Sequence, residues 1–167
     1  MLIALYGESC TGKTTIATHL SEGSRIEVRY CGRRVAAEAA NQGVQPRDLD
    51  TNTHKRIDQE TLDWVSSKRD LAVVEGRFLH YVLVGSPAPT VLVRCAALAS
   101  LRRERMERRS GIVEGRPDIF LSDREDLELC GRLYGGVRPR PFDLCLNTSA
   151  ASIAECVENV LWKLRKQ

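Results

Sequence analysis

"LYGESCTGKTT", residues 5–15, decides how the rest of the chain is read. Gly7-Glu8-Ser9-Cys10-Thr11-Gly12-Lys13-Thr14 places a glycine, four residues, then glycine, lysine and threonine, which is the spacing of a phosphate-binding loop. Each position has a physical reason. The glycines let the backbone curl so that N–H groups along Ser9, Cys10 and Thr11 point at an anion. The helix that follows adds the positive end of its dipole. Lys13 reaches the β- and γ-phosphates of a nucleotide, and the Thr14 hydroxyl holds Mg²⁺. A glycine loop of purely structural purpose is the competing reading.

The flanks supply the context that the motif requires. "LIALY" (2–6) is a short apolar run, hence a buried strand, and residues 13–23 carry Ile16, Ala17 and Leu20 on one helical face with Gly23 as a stop. Further along, strands are expected at 25–30, 71–76, 90–95 and 142–147, with 84–89 a loop. Helices are expected at 33–43, 54–68, 98–109, 121–135 and 152–166, the last opened by Ser152 and Glu155 at capping-box spacing. Five strands alternating with helices make an open α/β sheet covered on both faces. Ligands of such sheets lie beyond the carboxyl ends of the strands, where Gly7–Thr14, Cys31–Arg34 and Glu75–Arg77 converge.

The composition fits one domain, 1–167, with a single core. A net charge of +3 is too small to imply nucleic acid. The basic residues are 20 Arg and 5 Lys, and arginine meets phosphate oxygens two at a time. An arginine-rich genome explains the same count. The six cysteines form no C-x-x-C pair and the three histidines do not cluster with them, so neither a zinc site nor a disulfide framework is expected. Buried thiols are. No basic leader precedes the loop and no apolar run reaches membrane-spanning length. The expectation is therefore a cytoplasmic protein, monomer or homodimer, that binds neither membrane nor nucleic acid.

A nucleotide loop serves switches, motors and kinases alike. The chain has no guanine-reading N-K-x-D stretch and is short for a motor, which leaves a small kinase. Such an enzyme needs arginines over the transferring phosphoryl group. Arg102, Arg105 and Arg109 recur on one helix face, while Arg124 and Arg132 lie on the returning helix, so residues 102–132 read as a lid with a Gly-rich tip. A solvated face paired through Glu104 and Glu107 is the alternative. Glu75 ends the apolar strand "LAVVEGR", where a charge is odd unless it faces the site; there it orders a water on Mg²⁺. Arg77 can meet an acceptor's phosphate, unless it simply pairs with Glu75.

With these residues in place, the chain resembles the cytidylate kinase group of nucleoside monophosphate kinases, most of all the short, archaeal-type ones. The resemblance runs through the N-terminal loop, "CGRRVA", "VVEGR", "LRRERMERR", "DREDLELCGRLYG" and "FDLCLNTS". It implies the P-loop NTPase fold, a parallel sheet of order 2-3-1-4-5, an acceptor-binding helical part at about 31–68 and a lid over ATP. It also implies that Gly7, Gly12, Lys13, Thr14 and Thr15 hold ATP and Mg²⁺, and that Arg77 meets the monophosphate. Arg105, Arg109, Arg124 and Arg132 then neutralise the phosphoryl group, and Asn147–Ser149 lie near the adenine. One departure concerns the acceptor: where the group usually carries arginine, this chain has Ala36, with Arg33 or Arg34 as substitutes. The expected reaction is ATP + CMP → ADP + CDP. The alternatives are a kinase acting on a hydroxyl, with Asp58 or Glu38 as its base, and a non-catalytic nucleotide-binding module.

Overall fold

The computed structural model describes residues 1–22, 24–110 and 118–166. β1 (Leu2–Tyr6) is the middle strand of a five-stranded, all-parallel sheet with β2 (Glu27–Tyr30), β3 (Ala72–Gly76), β4 (Thr90–Ala96) and β5 (Leu144–Asn147) in the order β2-β3-β1-β4-β5. The helices are α1 (Lys13–Ser21), α2 (Cys31–Gln42), α3 (Thr51–Ser67), α4 (Leu79–Val82), α5 (Ala99–Ser110), α6 (Ile119–Tyr134) and α7 (Ile153–Arg165). No helix among the described residues is long and apolar enough to cross a membrane.

All five residues of β1 are buried, as a strand covered on both faces demands. Its side chains alternate between two layers. Ile3 and Leu5 pack with Ile16, Ala17 and Leu20 of α1 and with Cys156 and Val160 of α7. Leu2, Ala4 and Tyr6 pack with Val65 of α3, Leu79 of α4 and Leu83. Burying a side chain the size of Ile3 or Leu5 stabilises by about 1.5–3 kcal/mol, so a one-residue slip of β1 would forfeit much of both layers. The register Leu2↔Ala72 and Leu2↔Thr90 keeps the three central strands level, with their carboxyl ends on one edge.

Helix ends follow local chemistry. Asp50 accepts from the N–H of Asn52 (2.8 Å) and of Thr53 (3.0 Å), so α3 starts at Thr51, three residues before the sequence expectation. Asp118 caps α6 in the same way, two residues early. The Ser152–Glu155 capping box forms as expected. Gly43, left-handed at φ 67°, ends α2. That helix begins at Cys31, directly after β2, with none of the expected loop. β2 and β5 are each two residues shorter than expected, and the single-turn α4 was not expected at all. The expected stop at Gly23 and the lid tip at 111–117 fall outside the described residues. The cysteines depart from expectation. Only Cys95 and Cys156 are buried, and Cys145 is exposed.

Candidate active site

The phosphate loop leaves β1 under the end of β4. A Cβ on Gly7 (φ 143°) would lie 2.1 Å from the Cys95 carbonyl oxygen, so only glycine lets the two backbones approach. At the crest Cys10 takes a left-handed φ of 62°, and Gly12 one of 88°. The loop is tied down from several sides. Thr11, wholly buried, donates to the Glu8 carbonyl at 2.9 Å, and Lys13 Nζ donates to the same oxygen at 2.7 Å. Thr148 Oγ1 donates to the Thr11 carbonyl at 2.9 Å. Arg105 donates to the Cys10 carbonyl (3.1 Å) and to Thr148 Oγ1 and O (3.0 Å each).

Around Lys13 the charges converge. Lys13 is 7% exposed, and burial lowers its pKa against the opposing pull of Glu75. Glu75, 5% exposed at the end of β3, is pushed up by burial, while Lys13, a hydrogen bond from the Thr14 hydroxyl, Arg33 and Arg109 pull the other way. Arg77 also acts on Lys13. The fold thus draws Lys13, Thr14, Glu75, Arg33, Arg77 and Arg109 together from four elements and the chain after β3. Thr14 and Glu75 offer adjoining hard oxygens, a set that suits Mg²⁺ with phosphates and waters completing its shell. Thr15, next in α1, is exposed; its carbonyl contacts His19 Nδ1 at 3.0 Å.

Beyond Glu75 the other arginines have specific partners. Arg77 forms an ion pair with Asp126 of α6, not with Glu75, among the described contacts. The second oxygen of Asp126 is buried without a hydrogen-bond partner among the described residues, and burial raises this carboxyl with Arg77 opposing. Arg33 lies over the Tyr30 ring at 4.1 Å. Arg34 instead bonds Glu60 (3.1 Å) and Glu38 (3.5 Å), binding α2 to α3. Arg124 is exposed and pairs with Glu128 one turn on, at 3.1 Å, the arrangement of a solvated face. Arg132 is exposed, and its charge acts on His54. Asp58 accepts the Tyr134 hydroxyl at 2.6 Å, and burial pushes it up to about 6, with that hydrogen bond opposing. Ala36 is exposed on α2.

Sequence reasoning missed four participants. Arg102, read only as part of the lid face, is 5% exposed and spans from Ser9 to Asp123. Asp123 and Asp126 sit one turn apart in "SDRED" on α6, a spacing that puts both on one face. Thr148 serves the loop backbone, where resemblance placed it near the adenine. Only the Asp123–Asp126 spacing was a local signal.

No protein-family model matches the chain, and no curated protein sequence does. Solved structures share its shape. A sugar kinase from Janibacter sp. HTCC2649 superposes with a TM-score of 0.66 at 18% identity, over 98% of this chain and 94% of that one. A gluconokinase from Sinorhizobium meliloti 1021 gives 0.64 at 18%, over 98% and 91%. Shikimate kinase from Acinetobacter baumannii, in complex with shikimate, gives 0.65 at 16%, over 99% and 93%. At such identities the likeness is one of fold, and it does not single out cytidylate kinases. The parallel sheet of order 2-3-1-4-5, with a phosphate loop between β1 and α1, is the fold of the P-loop kinases.

Proposed function

We propose that the chain is an ATP-dependent small-molecule kinase. The observation that carries this reading is the convergence of Lys13, Thr14, Arg33 and Arg109 on the buried Glu75, beside a loop already shaped for an anion. ATP lays its phosphates in the loop, with Lys13 against the β- and γ-oxygens. Thr14 would hold Mg²⁺ and Glu75 would order a water on it, and the ion would supply charge neutralisation when bound. Arg109 adds positive charge from α5. Arg124 and Arg132, exposed on α6, would reach the phosphoryl group only if α6 moved toward the loop, and Arg105 keeps the loop in shape. The acceptor enters between residues 31–68, Arg77 and α6.

The acceptor we favour is a nucleoside monophosphate, CMP or dCMP. The reading rests on the resemblance and on Arg77, a half-exposed guanidinium at the carboxyl end of β3 with one anionic partner already. The acceptor phosphate attacks the γ-phosphorus in line, ADP leaves, and CDP forms. No protein base is required, because the phosphate is ionised near neutral pH and alignment plus charge neutralisation suffice. A second reading, a hydroxyl acceptor, is favoured by Asp58, a half-buried carboxyl that burial pushes up to about 6 and so poises as a base, and by the kinases named above. A coupled assay of ADP release across nucleoside monophosphates, nucleosides, sugars and sugar acids tests both. CMP and dCMP active with cytidine inactive supports the first reading, and activity confined to phosphate-free alcohols supports the second. MgATP binding without release for any acceptor leaves a non-catalytic module.

A further inference from the structure

Four successive carbonyls of the phosphate loop are held by side chains. Glu8 O is held by Lys13 and Thr11, Ser9 O by Arg102, Cys10 O by Arg105, and Thr11 O by Thr148. In a trans peptide the carbonyl and the next residue's N–H point opposite ways, and no described peptide here is cis. Holding these four oxygens therefore turns the N–H groups of Ser9, Cys10, Thr11 and Gly12 to the other side of the loop. Two of the five anchoring side chains come from α5, one turn apart.

Arg102 is the anchor with the most behind it. Its guanidinium is buried, with Nε donating to Ser9 O at 2.8 Å and both terminal nitrogens donating to the Asp123 carboxylate of α6, Nη1 at 2.9 Å. A forked carboxylate contact fixes the guanidinium plane. Every nitrogen is engaged, so Arg102 has a post to hold and is not waiting for phosphate. We propose that Arg102 and Asp123 form a strut that presets the phosphate loop: Asp123 orients Arg102, and Arg102 holds the Ser9 carbonyl so that the Cys10 N–H faces the anion before any ligand arrives. The inference rests on the reading of residues 7–14 as a nucleotide site and makes Arg102 a positioning residue.

The test exchanges the two charges. Arg102→Asp with Asp123→Arg rebuilds the ion pair between α5 and α6, but an aspartate at 102 has no donor for Ser9 O. Melting temperature and the dissociation constants of MgATP and of inorganic tripolyphosphate are measured for the parent, for Arg102→Ala and for the exchange. The strut predicts that the exchange recovers most of the melting temperature lost in Arg102→Ala, yet binds both phosphates at least about tenfold more weakly than the parent. Arg102→Lys keeps the charge and the fold but cannot hold Ser9 and fork Asp123 together, so it also binds more weakly even if the exchange variant does not fold. Parental affinity in the exchange, or in Arg102→Lys, overturns the strut alone. A parent that binds neither MgATP nor tripolyphosphate overturns the nucleotide reading and the strut with it.

Discussion

Lys13 shows what burial asks of a single charged side chain. Its ammonium is almost out of water, so its charge is kept by Glu75 and by the Glu8 carbonyl. A cation so placed needs no reorganisation when phosphate arrives, and electrostatic help of this kind is strongest where water is excluded. Lys13→Met should therefore lower kcat at least about 100-fold, with circular dichroism unchanged. Parental turnover would remove the loop from the mechanism. Gly7 is limited by space. A methyl group there meets the Cys95 carbonyl at 2.1 Å, so β1 and β4 must part or the loop must move. Gly7→Ala should cost about 1–3 kcal/mol in urea unfolding and weaken MgATP binding in parallel, whereas a loop with room to spare would lose neither.

At the scale of elements, the contact between α3 and α6 has its own pH signature. Burial raises the folded carboxyl of Asp58 from 3.8 to about 6, so the folded protein binds that proton more tightly than the unfolded chain. The resulting stabilisation is full below pH 3.8, declines as pH rises and is lost above about 6; the span corresponds to roughly 3 kcal/mol. Asp58→Asn keeps an acceptor for Tyr134 and has no charge to bury. The difference in unfolding free energy, variant minus parent, should rise between pH 4 and 6 and then level off. A difference flat with pH would mean that Asp58 ionises freely. Subtracting the parent removes the slopes of Glu75 and Asp126, also raised by burial. Elements of this kind were legible where the signal is local. β1, its loop and α1 follow from one glycine pattern, and the α7 capping box from two residues. The start of α3 was misplaced because apolar periodicity outweighed Asp50, and α4 is a single turn, too short to show a period. The pairings Arg77–Asp126 and Arg102–Asp123 join residues far apart in sequence, so no local pattern announces them. The sheet order, too, came from resemblance and not from the strand pattern.

At the scale of the whole molecule, the sheet gathers the phosphate loop and Arg77 at one edge, and on the proposed reading Arg77 stands where the acceptor enters. In this structure the guanidinium is taken by Asp126, whose second oxygen is buried without a partner among the described residues. A phosphate acceptor has to share Arg77 with this carboxylate or displace it. Its two oxygens can then face the guanidinium fork at once, a geometry that lysine cannot copy. Losing one charge-assisted contact costs about 1.5–3 kcal/mol, or roughly ten- to a hundred-fold. Arg77→Lys and Arg77→Ala should both raise the KM for CMP by such a factor while the KM for ATP holds within about twofold. Removing the competitor should act in the opposite direction: Asp126→Asn leaves Arg77 free and should lower the KM for CMP. A phosphate-free alcohol gives Arg77 nothing to grip. For such an acceptor the Arg77 variants should change stability more than KM, and Asp58→Asn, which spares phosphate transfer between nucleotides, should abolish turnover by removing the base. Steady-state kinetics on these four variants with CMP, dCMP, UMP and cytidine therefore separates the two acceptors, and cytidine turning over as fast as CMP would sink the monophosphate reading.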